Sequence, residues 1–398
     1  MSAQVTIMGL GYIGLPTAAL IASKGIPVQG VDVNKKVVDT INKGKIHIVE
    51  PDLEGLVHYA VQKGLLVAST SVKSSDVFLV AVPTPFKGDH EPDLAYVEKA
   101  TRMILPQLRA GNLFIIESTS PVGTTEKMAK LIFKDRPELK GKIHIAYCPE
   151  RVLPGSVIYE LQQNDRVIGG IDSASTDAAV RFYGRFVKGN LHKTNSKTAE
   201  MCKLVENAYR HVNIAFANEL SIICDKAGID VNELIDLASK HPRVKILRPG
   251  PGVGGHCIAV DPWFIVSEFP SDARIIRLAR QINNNKRDWV LKKIRSQANE
   301  FKKKNGRAPV IACMGLSYKP DIDDLRESPA LEIFHDLEKE RFRVMAVEPN
   351  LRKHPELEIT DTLKAVGEAD IIVYLVAHKE FRNLDPGSGK IILDFCGI

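Results

Sequence analysis

The 398-residue sequence has no C-x-x-C pair and no Cys/His cluster at zinc-ligand spacing, so a structural metal site is not expected. Its six cysteines (Cys148, Cys202, Cys224, Cys257, Cys313 and Cys396) are widely scattered, which argues for a reducing compartment rather than a disulfide framework. A long apolar run is also missing. The N-terminal stretch 7–22 is broken by Gly9, Gly11, Gly14 and Pro16 and has no basic residue before it, so it reads neither as a membrane span nor as a signal core. No membrane association is expected, and the cytoplasm is the expected location. Charge of one sign is scarce: 54 Lys and Arg face 48 Asp and Glu, for a net charge of +6. The densest basic cluster, Lys302-Lys303-Lys304 before Asn305-Gly306, has no interleaved aromatics and reads as a solvated linker, which excludes a nucleic-acid stripe. With 44% hydrophobic and 26% charged residues, the remainder is an ordinary globular composition, long enough for two or three domains.

Short apolar runs at 5–8, 28–33, 77–82, 113–117 and 143–147 alternate with helical patterns, a rhythm that predicts a doubly wound parallel sheet. Residues 198–227 then carry no proline or glycine, and Met201, Leu204, Val205, Ala208, Val212 and Ala215 recur at helical period. A helix of that length reaches about 45 Å and suits an interdomain spine or a dimer surface. Further helices are expected near 231–239 and 273–295. The α/β rhythm returns with strands at 310–314, 344–347, 371–376 and 391–393. The expected fold class is therefore α/β: two Rossmann-like doubly wound parallel-sheet domains, 1–196 and 305–398, joined by a central helical domain, 197–304, with one long helix.

Gly9-Leu10-Gly11-Tyr12-Ile13-Gly14 follows the first strand and opens a helix, and the second strand ends at Asp32, 18 residues beyond Gly14. Gly9 would permit the tight turn, Gly11 the approach of backbone to a pyrophosphate, and Gly14 close helix packing. Asp32 would bind the adenosine ribose and repel a 2′-phosphate, so NAD is the expected cofactor. Val82-Pro83-Thr84-Pro85 and Glu117-Ser118-Thr119-Ser120-Pro121 end two further strands, where ligands bind in open parallel sheets. Thr84 either reaches the pyrophosphate or belongs to a proline-fixed turn, and Thr119 could face the nicotinamide.

Lys203 and Asn207 stand one helical turn apart; the pair either stabilises an oxyanion or forms a solvated stripe. Glu150, in Cys148-Pro149-Glu150-Arg151-Val152-Leu153-Pro154-Gly155, reads either as a base that positions water or as a surface carboxylate paired with Arg151. Between Gly250 and Gly255 four of six residues are glycine, and the loop runs on to His256-Cys257 with Asp261 four residues later. A thiol presented by such a loop is placed as a nucleophile, whereas the other five cysteines sit in or beside apolar runs as small core residues.

Taken in order, these motifs resemble the UDP-glucose/GDP-mannose dehydrogenase family over essentially the whole chain. Tyr318-Lys319-Pro320 and Arg326-Glu327-Ser328 complete the resemblance. Residues 46–53, 81–93, 146–155 and 250–264 are similar to the branch that acts on UDP-N-acetyl-D-mannosamine. The family's usual proline and lysine between the cysteine and the aspartate are replaced here by Ile258-Ala259-Val260. The resemblance implies an NAD-dependent four-electron oxidation of a UDP-sugar at C6, serving surface polysaccharide synthesis. Asp261 and Lys203 would relay the first proton, Cys257 would carry a thiohemiacetal and then a thioester, and Lys203 and Asn207 would stabilise oxyanions. Glu150 and Thr119 would serve the hydrolytic water. Substrate contacts would come from Glu150, Arg151, Val152, Lys203, Asn207, Arg210, Gly254 and Lys319. Tyr12, Ile13, Thr84, Thr119 and Arg326 would join Gly9, Gly11, Gly14 and Asp32 at the cofactor. Arg243 would reach the neighbouring site of a homodimer. Rival readings are the same chemistry on UDP-N-acetylglucosamine or UDP-glucose, a two-electron hydroxyacid dehydrogenase, and a non-catalytic NAD-binding protein.

Overall fold

The computed structural model describes residues 5–48, 50–88, 91–152, 155–255, 258–351 and 353–398. The chain folds as two compact units, Met1–Glu206 and Asn207–Ile398, and the boundary falls within the long helix Ser196–Ala227.

The strands of the first unit are β1 (Val5–Met8), β2 (Val28–Val31), β3 (Leu66–Ser69), β4 (Val77–Val80), β5 (Phe86–Lys87), β6 (Glu91–Pro92), β7 (Leu113–Ile116), β8 (His144–Tyr147), β9 (Arg166–Gly170) and β10 (Leu191–Asn195). β5 and β6 form a small antiparallel ribbon, and the other eight form one sheet in the order β10-β9-β8-β7-β4-β1-β2-β3. The run β3-β2-β1-β4-β7-β8 has the doubly wound Rossmann order. Every residue of β1, β4 and β7 is buried, which is why these strands read as continuous apolar runs rather than alternating ones. Ile7, Leu79 and Ile115 enter a core beneath the helices Gly14–Ser23 and Leu53–Gln62, while Met8, Phe78 and Phe114 face the opposite core under Ala95–Ile104 and Thr124–Asp135.

The sheet departs from the all-parallel expectation at one step, because β9 runs antiparallel to β8. β3, β9 and β10 were not expected as strands. β10 has no buried residue among its five and β3 has two among four, so neither carries the apolar run that marks the central strands.

The second unit holds the rest of the long helix, the helices Val231–Ala238, Asp261–Glu268 and Arg274–Asn305, and the strands β11 (Val310–Met314), β12 (Arg343–Val347), β13 (Ile371–Tyr374) and β14 (Ile391–Asp394). These strands form a parallel sheet in the order β12-β11-β13-β14. The helices Pro329–Lys339 and Thr362–Glu368 feed its two separate cores. A mainly parallel sheet and a wholly parallel one, each flanked by helices, with a helical stretch between them in sequence, are the α/β fold class expected.

The linker reading of Lys302–Lys304 is overturned. The three lysines occupy the last turn of Arg274–Asn305, and Gly306 closes that helix with φ 69°. Cations in a last turn complement the helix dipole, and a left-handed glycine is a favoured stop.

Candidate functional site

The glycine fingerprint adopts the geometry its spacing predicts. Gly9 has φ +90°, and its amide donates to Val31 at the end of β2. A β-carbon at Gly14 would stand 1.9 Å from the Gly9 carbonyl oxygen, whereas one at Gly11 would meet nothing within 4 Å. The helix is thus locked against the turn at Gly14 and open to solvent at Gly11, where a pyrophosphate would approach. Asp32 accepts from the Leu10 amide at 3.0 Å and from the Asn34 amide at 2.9 Å, which fixes its carboxylate at the C-terminal end of β2. This cradle fits a dinucleotide. Tyr12 is exposed, Ile13 half-buried, and Thr84 half-buried beyond the end of β4.

Thr119 follows β7 in a loop whose other hydroxyls are committed to backbone. Ser118 Oγ donates to Val82 O at 2.7 Å and Ser120 Oγ to Ser118 O at 2.9 Å. The buried Glu200 accepts from the Gly123 amide, the Thr125 amide and the Thr125 hydroxyl at 2.6–2.7 Å. Glu200 therefore ties the first turns of the long helix to the Thr119 loop. Lys203 lies less than one turn further along that helix and Asn207 one turn beyond Lys203; both are half-buried, not a fully solvated stripe.

Glu150 departs from the surface alternative. It is buried, and its Oε2 accepts from Arg166 Nη1 at 3.0 Å while its Oε1 accepts from the Arg151 amide. The Arg151 guanidinium instead pairs with Glu206 at 2.6 Å. A carboxylate held by a buried arginine is better suited to orient a water than to take its proton unaided. The buried Glu50 holds the next part of this loop, accepting from the amides of Gly155 and Val157 at 3.0 and 2.8 Å. Val152 is half-buried beside Arg151.

In the second unit, Asn207 Nδ2 donates to Asp261 Oδ2 at 2.5 Å. Asp261 is buried and opens the helix Asp261–Glu268. The glycine loop before it lies on Tyr318 and the 326–329 segment. The Gly255 amide donates to Arg326 O at 3.3 Å. A β-carbon at Gly254 would stand 2.2 Å from Glu327 O, and one at Gly255, where φ is +79°, would stand 2.7 Å from the Tyr318 ring. Only glycine fits at these two positions. His256 and Cys257 lie outside the described residues. The exposed Arg326 guanidinium pairs with Asp324 at 2.5 Å. Arg210 and Arg243 are exposed, and Lys319 is half-buried. Of the remaining cysteines, Cys148, Cys224 and Cys313 are buried as expected, while Cys202 and Cys396 are only partly so.

The family models for the UDP-glucose/GDP-mannose dehydrogenase NAD binding domain, central domain and UDP binding domain match residues 3–187, 197–285 and 312–398. The chain belongs to the UDP-glucose/GDP-mannose dehydrogenase family. It is 53% identical over 410 residues to the UDP-N-acetyl-D-mannosamine dehydrogenase of Campylobacter jejuni, covering 99% of each chain. It is 51% identical over 409 residues to an NDP-N-acetyl-D-galactosaminuronic acid dehydrogenase of Ralstonia nicotianae, covering 99% of this chain and 96% of that protein. The solved UDP-D-ManNAc dehydrogenase of Pyrococcus horikoshii superposes with TM-score 0.89 at 39% identity, covering 99% of this chain and 95% of that one.

NAD is therefore the cofactor of the first unit, and the C-terminal sheet is the family's UDP binding domain. That sheet repeats part of the fingerprint. Gly315 follows β11 with φ +86°, and its amide donates to Val347 at the end of β12. Glu348 then stands where Asp32 stands in the first sheet. It is buried, however, and accepts from the amides of Leu316 and Ser317 at 2.8 and 2.9 Å, so a ribose cannot use it in the same way. No helix among the described residues is long and apolar enough to cross a membrane.

The residues that sequence reasoning missed are Glu50, Arg166 and Glu200, each a buried charge that holds a site loop. Glu50 lay within a stretch already singled out for resemblance. Nothing local marks Arg166 or Glu200, whose partners lie 16 and about 75 positions away in sequence.

Proposed function

We propose that this enzyme oxidises C6 of UDP-N-acetyl-D-mannosamine to the carboxylate, UDP-N-acetyl-D-mannosaminuronate, in two successive oxidations. The observation that carries the reading is the Asn207–Asp261 hydrogen bond. It joins residues 54 positions apart in sequence and sets an acid and an amide at the end of the glycine loop that leads to Cys257. A two-electron hydroxyacid dehydrogenase needs the fingerprint and a lysine but no loop-borne thiol. The Campylobacter relative's name supports the sugar.

NAD⁺ bound at Gly9–Gly14 and Asp32 supplies the hydride acceptor for each oxidation. Asp261 and Lys203 remove the C6 hydroxyl proton through an ordered water in the first. Cys257 Sγ then adds to the aldehyde carbon and holds it as a thiohemiacetal, and the second oxidation leaves a thioester on the same sulfur. Lys203 Nζ and the Asn207 amide stabilise the oxyanions by hydrogen bonds. Water, oriented by Glu150 and Thr119, hydrolyses the thioester and frees Cys257. Arg151, Val152, Arg210, Gly254 and Lys319 contact the substrate, while Thr84 and Arg326 contact the cofactor.

The division into a cofactor domain 1–196, a helical domain 197–304 and a UDP-sugar domain 305–398 belongs to the same reading. So does a homodimer in which Arg243 enters the neighbouring site. The dimer is supported by Tyr209, Phe216 and Ile223, which are 67%, 53% and 54% exposed at seven-residue intervals along the long helix, an apolar row unusual for a solvated surface. The reaction would run in the cytoplasm and feed surface polysaccharide synthesis.

The Ralstonia relative favours a second reading, the same chemistry on an N-acetylgalactosamine-type nucleotide; UDP-N-acetylglucosamine and UDP-glucose are further rivals. NADH released per limiting sugar separates these. Two NADH per UDP-N-acetylmannosamine, with little from the other sugars, is the expected result. One NADH per sugar would remove the covalent mechanism, and turnover confined to another sugar would overturn the specificity.

A further inference from the structure

Beneath Glu150 lies a buried polar cluster that the reaction as described does not use. Glu117, the residue after β7, is buried, and its Oε1 accepts from the Tyr183 hydroxyl at 2.5 Å. Its Oε2 is buried with no partner. Arg166, 3% exposed, donates Nη1 to Glu150 and Nη2 to Leu161 O, and its guanidinium lies 5.4 Å from the centre of the Tyr183 ring. Cys148, the residue after β8, lies in the same group. The antiparallel β9 makes the cluster possible. Running against β8, it brings its first residue, Arg166, beside the residues that follow β8.

Two carboxyl groups therefore lie near one guanidinium: Glu150 in direct contact with it, and Glu117 buried behind with one oxygen unpartnered. Two buried carboxylates against one cation leave an uncompensated charge, so ionising the second carboxyl is costly. The geometry chooses which one that is. Glu150 makes the direct ion pair, while Glu117 has only a phenol donor. Burial accordingly raises the Glu117 carboxyl to about 7, against the lowering influence of Arg166. The Tyr183 phenol is pushed well above its usual range by burial, the Cys148 thiol is pushed up to about 12 by burial, and Arg166 is held charged by its acidic neighbours despite its burial.

We propose that Glu117 is a positioning residue for Glu150: protonated, it leaves Arg166 wholly to Glu150, and ionised, it competes for Arg166 and releases Glu150 from its orientation. The proposal rests on the reading of Glu150 as the carboxylate that orients the hydrolytic water. The only covalent change in Glu117 is loss of its carboxyl proton to solvent as pH rises and its return as pH falls.

The test has an arm without activity and an arm with it. Infrared difference spectra of the whole protein across pH 5–9 should show a buried carboxyl C=O band that disappears near neutrality and is missing in Glu117→Gln. In Glu150→Gln, Arg166 has no competing carboxylate, so Glu117 should ionise about one to three pH units lower. In rapid-quench single turnovers, the parent should lose product release as pH rises through neutrality. Glu117→Gln, whose amide oxygen still accepts from Tyr183, should lose that pH step while KM for the sugar nucleotide is unchanged. A Glu117 band that does not move in Glu150→Gln overturns the coupling, as does a Glu117→Gln profile that superimposes on the parent. Failure of the Glu150 reading has a different signature, undiminished thioester hydrolysis in Glu150→Gln.

Discussion

Gly11 and Gly14 make a matched pair of alanine substitutions that separates cofactor binding from folding. A methyl at Gly11 meets nothing within 4 Å, and Gly11 is not among the positive-φ glycines. Gly11→Ala should therefore leave the fold intact or stabilise it by about 0.4–1 kcal/mol through the unfolded chain. The same methyl would project into the space where the pyrophosphate is proposed to meet the helix amides. Losing one charge-assisted hydrogen bond there costs about 1.5–3 kcal/mol, or roughly tenfold to a hundredfold in Kd for NAD. Gly14→Ala behaves oppositely. Its methyl would stand 1.9 Å from the Gly9 carbonyl oxygen, so backbone must move, and stability should fall by several kcal/mol together with NAD binding. Thermal melts without cofactor and calorimetric titration with NAD⁺ read the two quantities independently. A Gly11→Ala protein that binds NAD⁺ as tightly as the parent refutes the approach of the pyrophosphate at that position. A Gly14→Ala protein of unchanged melting temperature refutes the packing argument.

Asp32→Ala removes the proposed ribose acceptor and also orphans the Leu10 and Asn34 amides, so NAD affinity should drop by at least about tenfold, read by NADH fluorescence. Cys257→Ser should stop or stall the second oxidation, giving one NADH per sugar or fewer; full turnover with two NADH would remove the thiol from the mechanism. Lys286, 2% exposed, donates to Ser221 Oγ at 2.7 Å, and burial lowers it from 10.5 to about 7. Between those values the unfolded chain binds more protons than the folded one, so stability should rise with pH. Lowering the group from 10.5 to about 7 corresponds to about 5 kcal/mol, and the Trp289 ring, 3.9 Å from the ammonium, offsets about 2 of it by favouring the charged form. The net rise of about 3 kcal/mol should vanish in Lys286→Met, as followed by melting temperature from pH 7 to 10; equal pH slopes in the two proteins would show that Lys286 titrates normally in the fold.

How much could be read in the sequence follows from how local each determinant is. The fingerprint was legible because its parts lie within one strand-turn-helix unit, where Gly14 answers to Gly9 five residues before it; the close approach of Gly9 to Ala81, just past β4, comes from far along the sequence and was not legible. The long helix was legible from the helical period of Met201 to Ala215 and the absence of proline and glycine over 198–227; it spans 32 residues, Ser196–Ala227. Arg274–Asn305 is equally long, but its mostly polar last turns have no apolar stripe, so Lys302–Lys304 looked like a linker although they cap a helix. β9 and β10 sit at an edge, and nothing in a single strand's sequence encodes the direction of its partner.

That edge matters most for chemistry. Glu150 was visible as a carboxylate beside prolines, but its character depends on Arg166, and Arg166 reaches it only because β9 reverses direction against β8. A parallel β9 would bring its other end to this side of the sheet and leave Glu150 buried without a cation, at a cost of several kcal/mol for an unpaired charge. The reversed strand and the buried carboxylate are therefore one structural decision. A substitution that weakens β9, such as one at Gly169, where a β-carbon would stand 2.2 Å from Asn195 O on β10, should disturb the hydrolytic half of the reaction while leaving the Gly9–Asp32 cradle at the centre of the sheet able to bind NAD. NAD affinity and product release, measured on Gly169→Ala at a temperature where it remains folded, separate the two. Parallel loss of both would show that the β9 edge and the cofactor cradle are a single cooperative structure.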